Sequence, residues 1–484
     1  MKKKTSPNFH DFHLSLALLM CFVNNYNTLK MKEIKIMRLI SNSQVPLFNQ
    51  WSDHTFSNEL RDISEILDDL PEINHWVYND LTKNLNFDFC GPTALTAEQV
   101  LRAAIIKQQN SWTYETLSLQ CVDSAMTKSF LRLQEGQKIS KSCLHENIVK
   151  IAAKTWSAIN DHIVQYAADK GYEKGRTIRM DATVVKSNIH PPTDSSLIFD
   201  CIRVSVNSLK TIRKKLNKKW YLSVSVKESK QLLLQILSAK NQRERKIFYR
   251  LLLKKARDLK SDLKRLKDRL DKVADKAAKQ VNNLLKIYDL LPAIIEQTSK
   301  RVIKGKYVSS NEKIVSIFED HTDIIVKGRR EAEFGHKTYL TAGKTGLVLD
   351  CQIVRGNPSD ATLFEEILSK QNEIFGRVPR QTTADGGFAS KENLRKAQSM
   401  GVKDICFSKR CGLKKEDMTK SIWVFEKLRN FRAGIEGVIS VLKRSFGCAK
   451  ASWKGFDGFR SYVQSSIAAY NLTLLARIRL NPNQ

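Results

Sequence analysis

The chain has 484 residues and no Cys-x-x-Cys pair, and its nine cysteines, an odd number, are scattered from Cys21 to Cys448. A disulfide framework and a zinc knuckle are therefore not expected, and a reducing cytoplasm fits this cysteine usage. Long apolar runs are also missing, so no segment is expected to span a bilayer. The nearest approach is at the start, where Lys2 to Lys4 precede the apolar Leu14 to Phe22 in the manner of a signal peptide. No small-residue cleavage site follows, and Asn24, Asn25 and Asn27 interrupt the stretch. Because Met31 and Met37 follow closely, residues 1–36 are expected to be a start assigned too early or a disordered extension. Acidic residues are the remaining shortage: 50 Asp and Glu stand against 81 Lys and Arg, giving a net charge of +31 and a pI near 9.7. The excess is spread along the chain, which favours a polyanionic partner, nucleic acid ahead of an anionic membrane. With 42% hydrophobic residues the chain has enough apolar side chains to fold, so the charge does not imply disorder.

What is present is organised around a helix expected over about Phe425 to Phe446. Arg432, Glu436, Ser440 and Lys443 line one polar face of it, and Ile435, Val438, Ile439 and Leu442 make the adjoining apolar face. One face packs and its neighbour presents a carboxylate between two cations. The bland reading of Arg432 and Glu436 is an exposed i,i+4 ion pair worth a few tenths of a kcal/mol, about 0.3–0.5. Gly434 and Gly437 each cost the helix about 1 kcal/mol relative to alanine, which is tolerable where something bulky approaches closely. Gly447 is placed to stop the helix.

In chain order, residues 37–172 read as helical. Leu60, Ile63, Ile66 and Leu67 share a face, Pro71 breaks the pattern, and Thr96 with Gln99 forms a capping box for the next helix. Shorter helices are expected over Thr113 to Cys121, Ser124 to Leu133 and Ser142 to Trp156. This block suits a helix-turn-helix-like DNA reader, with Lys141, Ser142 and His145 as candidate contacts; an ordinary helical bundle has the same periodicity. At 173–196 the period changes, and Thr177 to Val185 reads as a branched strand with Asp181 inside it, where Asp is disfavoured unless exposed or functional.

Residues 197–310 turn long-helical. Leu259, Leu263, Leu266, Leu270, Val273, Ala277, Val281, Leu284 and Tyr288 form a seam like that of a coiled coil, expected to fold as an antiparallel hairpin ended by Pro292. Its role is open between a basic arm on DNA, a dimer contact and a self-paired insertion. In 311–484 strands are expected at Val315 to Phe318, His336 to Ala342, Leu347 to Val354, Gln381 to Ala384 and Val402 to Phe407. Asp385 stands where one of these ends in the turn Asp385-Gly386-Gly387. A turn-forming Asp is common for local reasons, yet strand ends in α/β sheets are also where ligands bind.

The alternation of strands and helices implies an α/β domain with a mixed sheet flanked by helices. Asp181 and Asp385 on neighbouring strands and Glu436 on a packed helix can converge on one point. Three carboxylates without a Cys or His cluster select a hard cation, Mg²⁺ or Mn²⁺, over zinc. Two such ions can activate an attacking oxygen and stabilise a leaving one at phosphorus.

On Arg179-Met180-Asp181-Ala182-Thr183, Glu333-Phe334-Gly335-His336-Lys337, Thr383-Ala384-Asp385-Gly386-Gly387-Phe388 and Arg432 to Lys443, the chain resembles a DDE transposase of a bacterial insertion sequence. Arg432, Glu436 and Lys443 match the spacing of that family's Arg, Glu and Lys, while Arg429 stands where the related signature has Tyr. The resemblance implies a ribonuclease H-like catalytic domain, with Asp181, Asp385 and Glu436 holding two Mg²⁺ or Mn²⁺ ions. It implies Arg432, Lys443 and Arg444 as phosphate contacts, double-stranded DNA as partner, and a homodimer or larger synaptic assembly in a cytoplasmic, nucleoid-associated bacterial protein. Asp350 and Asp360 are the rivals for the second aspartate: Asp360 is better explained by a helix N-terminus, and Asp350 lies inside the strand hairpin. His336, Lys337 and Trp453 are weighed as DNA contacts against a packed histidine and a core tryptophan. The other functions compatible with the same residues are a metal-dependent nuclease without strand transfer and a non-catalytic DNA-binding descendant.

Overall fold

The computed structural model describes residues 38–42, 51–83, 95–326, 331–408 and 412–481. The expected early start or extension at 1–36 lies outside the described residues. The chain divides into two compact units, Met1–Ile159 with Leu475–Gln484, and Asn160–Leu474.

The first unit is helical: α1 (Thr55–Asp68), α2 (Glu72–Thr82), α3 (Ala97–Gln109), α4 (Tyr114–Asp123), α5 (Ala125–Leu131), α6 (Lys141–Ile148) and the start of α7 (Ala153–Asp169). The capping box forms as expected. Thr96 Oγ1 accepts from the Gln99 N–H and Gln99 Oε1 accepts from the Thr96 N–H, both at 3.1 Å. Leu60, Ile63 and Ile66 are fully buried. So is the guanidinium of Arg102, which is 1% exposed and donates to Glu98 at 3.0 Å and to Asp68 and Ser64 at 2.7 Å. A buried charge is sustained by such complete pairing. The helix expected over Ser142 to Trp156 is two helices, α6 and α7. The Ala152 N–H donates to Asp80 Oδ2 at 2.8 Å instead of to a carbonyl one turn back, which separates them.

The second unit is built on a seven-stranded mixed sheet. Its strands are β1 (Thr177–Ser187), β2 (Asp323–Ile325), β3 (Glu333–Ala342), β4 (Val348–Val354), β5 (Gln381–Ala384), β6 (Asp404–Phe407) and β7 (Lys450–Ala451). The path is β2-β3-β1-β5-β6, with β4 also on β3 and β7 also on β1. β1 runs antiparallel to β3, which faces it over most of its length, and parallel to β5, which is parallel to β6. Helices α12 (Phe364–Phe375), α13 (Lys391–Ser399), α14 (Lys415–Met418), α15 (Ile422–Ser445) and α16 (Gly455–Leu480) complete the chain. α15 packs on β1, β5 and β6 through Val424, Phe425, Leu428, Ile435, Val438 and Leu442. α16 is tied to β4, its Asn471 amide pairing with both backbone groups of Val348 at 2.9 Å.

Between β1 and β2 stand α8 (Asp194–Leu216), α9 (Val226–Ser238), α10 (Gln242–Asp271) and α11 (Ala274–Thr298). Leu259, Leu263, Leu266, Leu270, Val281 and Leu284 are buried together in their core, so the apolar seam does pack. The seam turns back at Lys272 and Val273, which separate α10 from α11. Pro292 does not end the second arm: α11 continues through it to Thr298. Pro292 is exposed while Leu291 and Ile294 on either side are fully buried, and that burial outweighs the missing N–H. The strand expected at Val315 to Phe318 is absent. Ser316 Oγ accepts from the Phe318 and Glu319 N–H groups at 3.1 and 3.3 Å, which curls the backbone away from extension.

Among the described residues no helix is long and apolar enough to cross a membrane.

Candidate catalytic site

The parallel register of β1 and β5 decides the site. Met180 pairs with Ala384, the last residue of β5, so the next residue of each strand, Asp181 and Asp385, emerges at adjoining strand ends. Burial alternates along the first half of β1, with Ile178 and Met180 inside and Arg179 and Asp181 on the half-exposed side that meets α15. From α15, one turn before Glu436, Arg432 reaches into this corner.

Arg432 ties the three carboxylates together. Its Nη2 lies 3.1 Å from Asp181 Oδ2 and 3.4 Å from Asp385 Oδ1, and its Nη1 lies 3.4 Å from Glu436 Oε1. The i,i+4 pair read from the sequence is therefore part of a four-residue cluster reaching across two strands. Exposure rises across it: the side chains of Asp181 and Arg432 are 15% and 17% exposed, Asp385 42% and Glu436 65%. The cluster is thus anchored in the fold at one end and open to solvent at the other.

Each aspartate has a second restraint. The Ala182 N–H donates to Asp181 Oδ1 at 2.7 Å, and the Ser408 hydroxyl donates to Asp385 Oδ1 at 2.7 Å. Ser408 follows β6 and its N–H pairs with the Ala384 carbonyl at 3.0 Å. Sequence reasoning missed it, because nothing in a lone Ser after a short strand marks it as a partner of a residue 23 positions away. The turn after Asp385 needs its glycine. A Cβ on Gly387 would collide with the carboxylate of Asp360, which accepts from the Tyr339 hydroxyl at 2.9 Å and pairs with Lys337. Asp360 is thereby committed to packing beside the turn.

The other candidates separate into inside and outside. Lys443 is half-buried two turns beyond Glu436, and Arg444 is exposed beside it. His336 and Lys337 are internal: His336 is fully buried between His321 and Asp323, and Lys337 pairs with Asp360 and donates to the Pro358 carbonyl at 3.0 Å. Trp453 is buried edge-on against Tyr462. These three do not reach solvent for DNA. Asp350 sits within β4 opposite Thr341, away from the cluster. In the first unit Lys141, Ser142 and His145 are all exposed on α6, with Lys141 3.7 Å from Glu115 and the His145 ring edge-on to Tyr114.

Among the described residues no three His, Cys, Asp or Glu side chains stand close enough together to hold a metal ion as they are. At the cluster the space between the carboxylates is taken by the Arg432 guanidinium. As donors, three carboxylates without histidine or cysteine fit a hard divalent cation.

Residues 320–472 match the family model of the transposase DDE domain. Over those residues the chain is similar to a transposase DDE domain. The match takes in Asp385, Arg432, Glu436 and Lys443. Asp181 lies before the matched segment in sequence and is joined to it through β1, the strand between β3 and β5. No curated protein matches the chain, and no solved structure does.

Proposed function

We propose that the protein is an insertion-sequence transposase whose ribonuclease H-like domain cuts and joins DNA by a DDE mechanism. The observation that carries this reading is the meeting of Asp181, Asp385 and Glu436 on the single guanidinium of Arg432, with two of the three in the segment that matches the transposase DDE family. Asp181, Asp385 and Glu436 would hold two Mg²⁺ or Mn²⁺ ions. When bound, such ions supply Lewis acidity at the attacking and leaving oxygens of a phosphodiester.

The chain's own residues do the rest. The Ala182 N–H fixes Asp181 Oδ1 and leaves Oδ2 to face the cluster, while the Ser408 hydroxyl holds the same Asp385 Oδ1 that faces Arg432. Arg432, Lys443 and Arg444 hold the phosphates beside the scissile bond, the guanidinium as a fork and the lysine as a point charge. Lys141, Ser142 and His145, exposed on α6, read the terminal inverted repeats, and the net charge of +31 holds backbone phosphates in a salt-dependent way. Water opens the strand to a 3′-hydroxyl, and that hydroxyl then attacks target DNA. Two element ends must meet, so the working form is a dimer or larger synaptic assembly.

The test is cleavage of a labelled duplex carrying the element's own ends, with Mg²⁺, by the protein and by its Glu436→Gln variant. The expected result is cutting at the element boundary and joining to a second duplex, with a variant that binds and does neither. Cutting without joining would make the protein a nuclease. Binding by both proteins with cutting by neither, or equal cutting by both, would overturn the assignment of Glu436.

A further inference from the structure

Arg432 has more carboxylates than it can serve well. Its contacts of 3.1, 3.4 and 3.4 Å to Asp181, Asp385 and Glu436 are longer than the roughly 2.7–2.9 Å of an optimised charge-assisted bond. Its Nε is buried without a hydrogen-bond partner. The side chain is thus held by the summed field of three anions and not by one good pairing. Three carboxylates around one guanidinium still leave the cluster net negative.

A divalent ion of the Mg²⁺ class binds carboxylate oxygen at about 2.0–2.1 Å and demands a nearly complete oxygen shell. Asp181 Oδ2 and Asp385 Oδ1 cannot supply that shell while one nitrogen stands between them. The entering cation must move the guanidinium aside. Asp181 and the β1–β5 corner close off one direction, and exposure rises through Asp385 to Glu436, so the displaced Arg432 swings toward solvent. That is where a DNA phosphate would approach.

Resting on the site assignment above, we propose that Arg432 is a resident cation that couples metal loading to DNA binding. Without metal it bridges Asp181, Asp385 and Glu436 and offsets part of their charge. With metal it is released to a backbone phosphate. Linkage makes the coupling reciprocal: duplex DNA draws Arg432 off the carboxylates and tightens the metal site, and metal frees Arg432 and tightens DNA. The same device keeps the three carboxylates from holding a reactive metal when no DNA is bound.

The experiment is Mn²⁺ binding to the full chain, read by electron paramagnetic resonance of free Mn²⁺, with and without a 30-base-pair duplex of arbitrary sequence. In the unaltered protein the duplex is expected to tighten Mn²⁺ by about fivefold or more, the lower end of ordinary coupling between sites. Arg432→Gln is expected to bind Mn²⁺ about fivefold or more tightly than the unaltered protein without DNA, and to lose most of the response to duplex. Arg432→Lys separates release from simple repulsion, because lysine keeps the charge without the fork that spans three carboxylates. Release predicts that Arg432→Lys also tightens Mn²⁺, and a lysine variant equal to the unaltered protein would overturn it. So would weaker Mn²⁺ binding by Arg432→Gln, which would make Arg432 a support for the metal site. The coupling in the unaltered protein needs no variant to fold, and its absence would also overturn the proposal. Asp181→Asn is the control for the site itself: unchanged Mn²⁺ binding there would remove the metal assignment, a failure distinct from loss of coupling.

Discussion

The guanidinium of Arg179 fills the space that a side chain at Gly434 would need. Arg179 rises from β1, donates from Nη1 to the Phe431 carbonyl at 3.2 Å and stacks 4.7 Å from the Phe431 ring centroid. A Cβ on Gly434 would collide with Nη1. A glycine in mid-helix is thus the condition for bringing α15 down onto the strand that carries Asp181. Around Gly437, one turn on and beside Glu436, nothing lies within 4 Å of where a Cβ would be.

The two glycines should therefore respond oppositely to alanine. Gly437→Ala is expected to stabilise by about 0.5–1 kcal/mol through helix propensity alone. Gly434→Ala gains the same term but must displace Arg179 from its hydrogen bond and ring contact, and a net loss of about 1 kcal/mol is expected. In an Arg179→Ala background Gly434→Ala should become stabilising, since the obstacle is gone. Urea unfolding of the four proteins completes the cycle. Equal effects of Gly434→Ala in both backgrounds would show that Arg179 is not the reason for the glycine.

Asp350 offers a pH test. Burial pushes its carboxyl up to about 6, neighbouring Asp161 pushes in the same direction, and Lys370 opposes them. Its Oδ2 is buried without a hydrogen-bond partner. A carboxyl that is harder to ionise in the folded chain than in the unfolded one, where it titrates near 3.9, gives folding its full benefit below about pH 4. That benefit is lost as pH rises through about 6. Asp350→Asn should therefore be close to neutral at pH 4 and stabilising by about 3 kcal/mol at pH 8. Urea unfolding at the two pH values checks this, and a gain of the same size at both would rule out titration of Asp350 as its source.

How much of this could be read from residues alone divides by range. Thr177 to Val185 showed itself as a strand because branched residues cluster there, and Asp181 stood out against them. Asp385 was visible as an Asp-Gly-Gly turn after a strand, and Glu436 by its place on a periodic helix. Local spacing also gave the pairing of Arg432 with Glu436. It could not give the bridge from Arg432 to Asp181 and Asp385, because that depends on the pairing of Met180 with Ala384 across 204 residues. The misses share this cause. Pro292 was expected to end a helix that buried Leu291 and Ile294 carry past it, and Asp80, far away in sequence, ends the hydrogen-bond ladder before Ala152. Val315 to Phe318 failed for a local reason, the hydroxyl of Ser316 competing for backbone N–H groups.

A chain of four groups, three of them buried, gives a third test. Glu319 Oε2 meets His321 Nε2 at 2.9 Å, His321 Nδ1 meets His336 Nε2 at 2.7 Å, and His336 Nδ1 meets Asp323 Oδ2 at 2.8 Å. Glu319 also accepts from the Gly455 N–H at 2.8 Å at the start of α16, so the chain links that helix to β2 and β3. His336→Leu breaks two of its bonds and leaves His321 and Asp323 each short of a partner, at an expected cost of about 3 kcal/mol. His321→Leu should cost about as much. Because the groups act as one network, the double variant should be little worse than the worse single one. Strictly additive losses in chemical unfolding would mean that the two histidines make independent bonds.

Ser408 carries the last prediction, because it touches the candidate site without contributing a charge to it. Its hydroxyl holds Asp385 Oδ1 at 2.7 Å, and Asp385 is the more exposed of the two aspartates, with 42% of its side chain open. Without that bond the carboxylate can rotate away from the direction shared with Asp181. Ser408→Ala is expected to slow single-turnover cleavage of an element-end duplex about tenfold, equivalent to about 1.4 kcal/mol of misplaced geometry. Affinity for the duplex should stay unchanged, since Ser408 faces Asp385 and adds no charge that a phosphate would feel. The Mn²⁺ concentration for half-maximal rate should rise, because one donor of the set is no longer aimed. Ser408→Thr keeps the hydroxyl and should restore both values. A Ser408→Ala protein that cuts normally at low Mn²⁺ would show that Asp385 is oriented without help from β6. Loss of duplex binding in step with rate would instead mark Ser408 as part of the DNA surface.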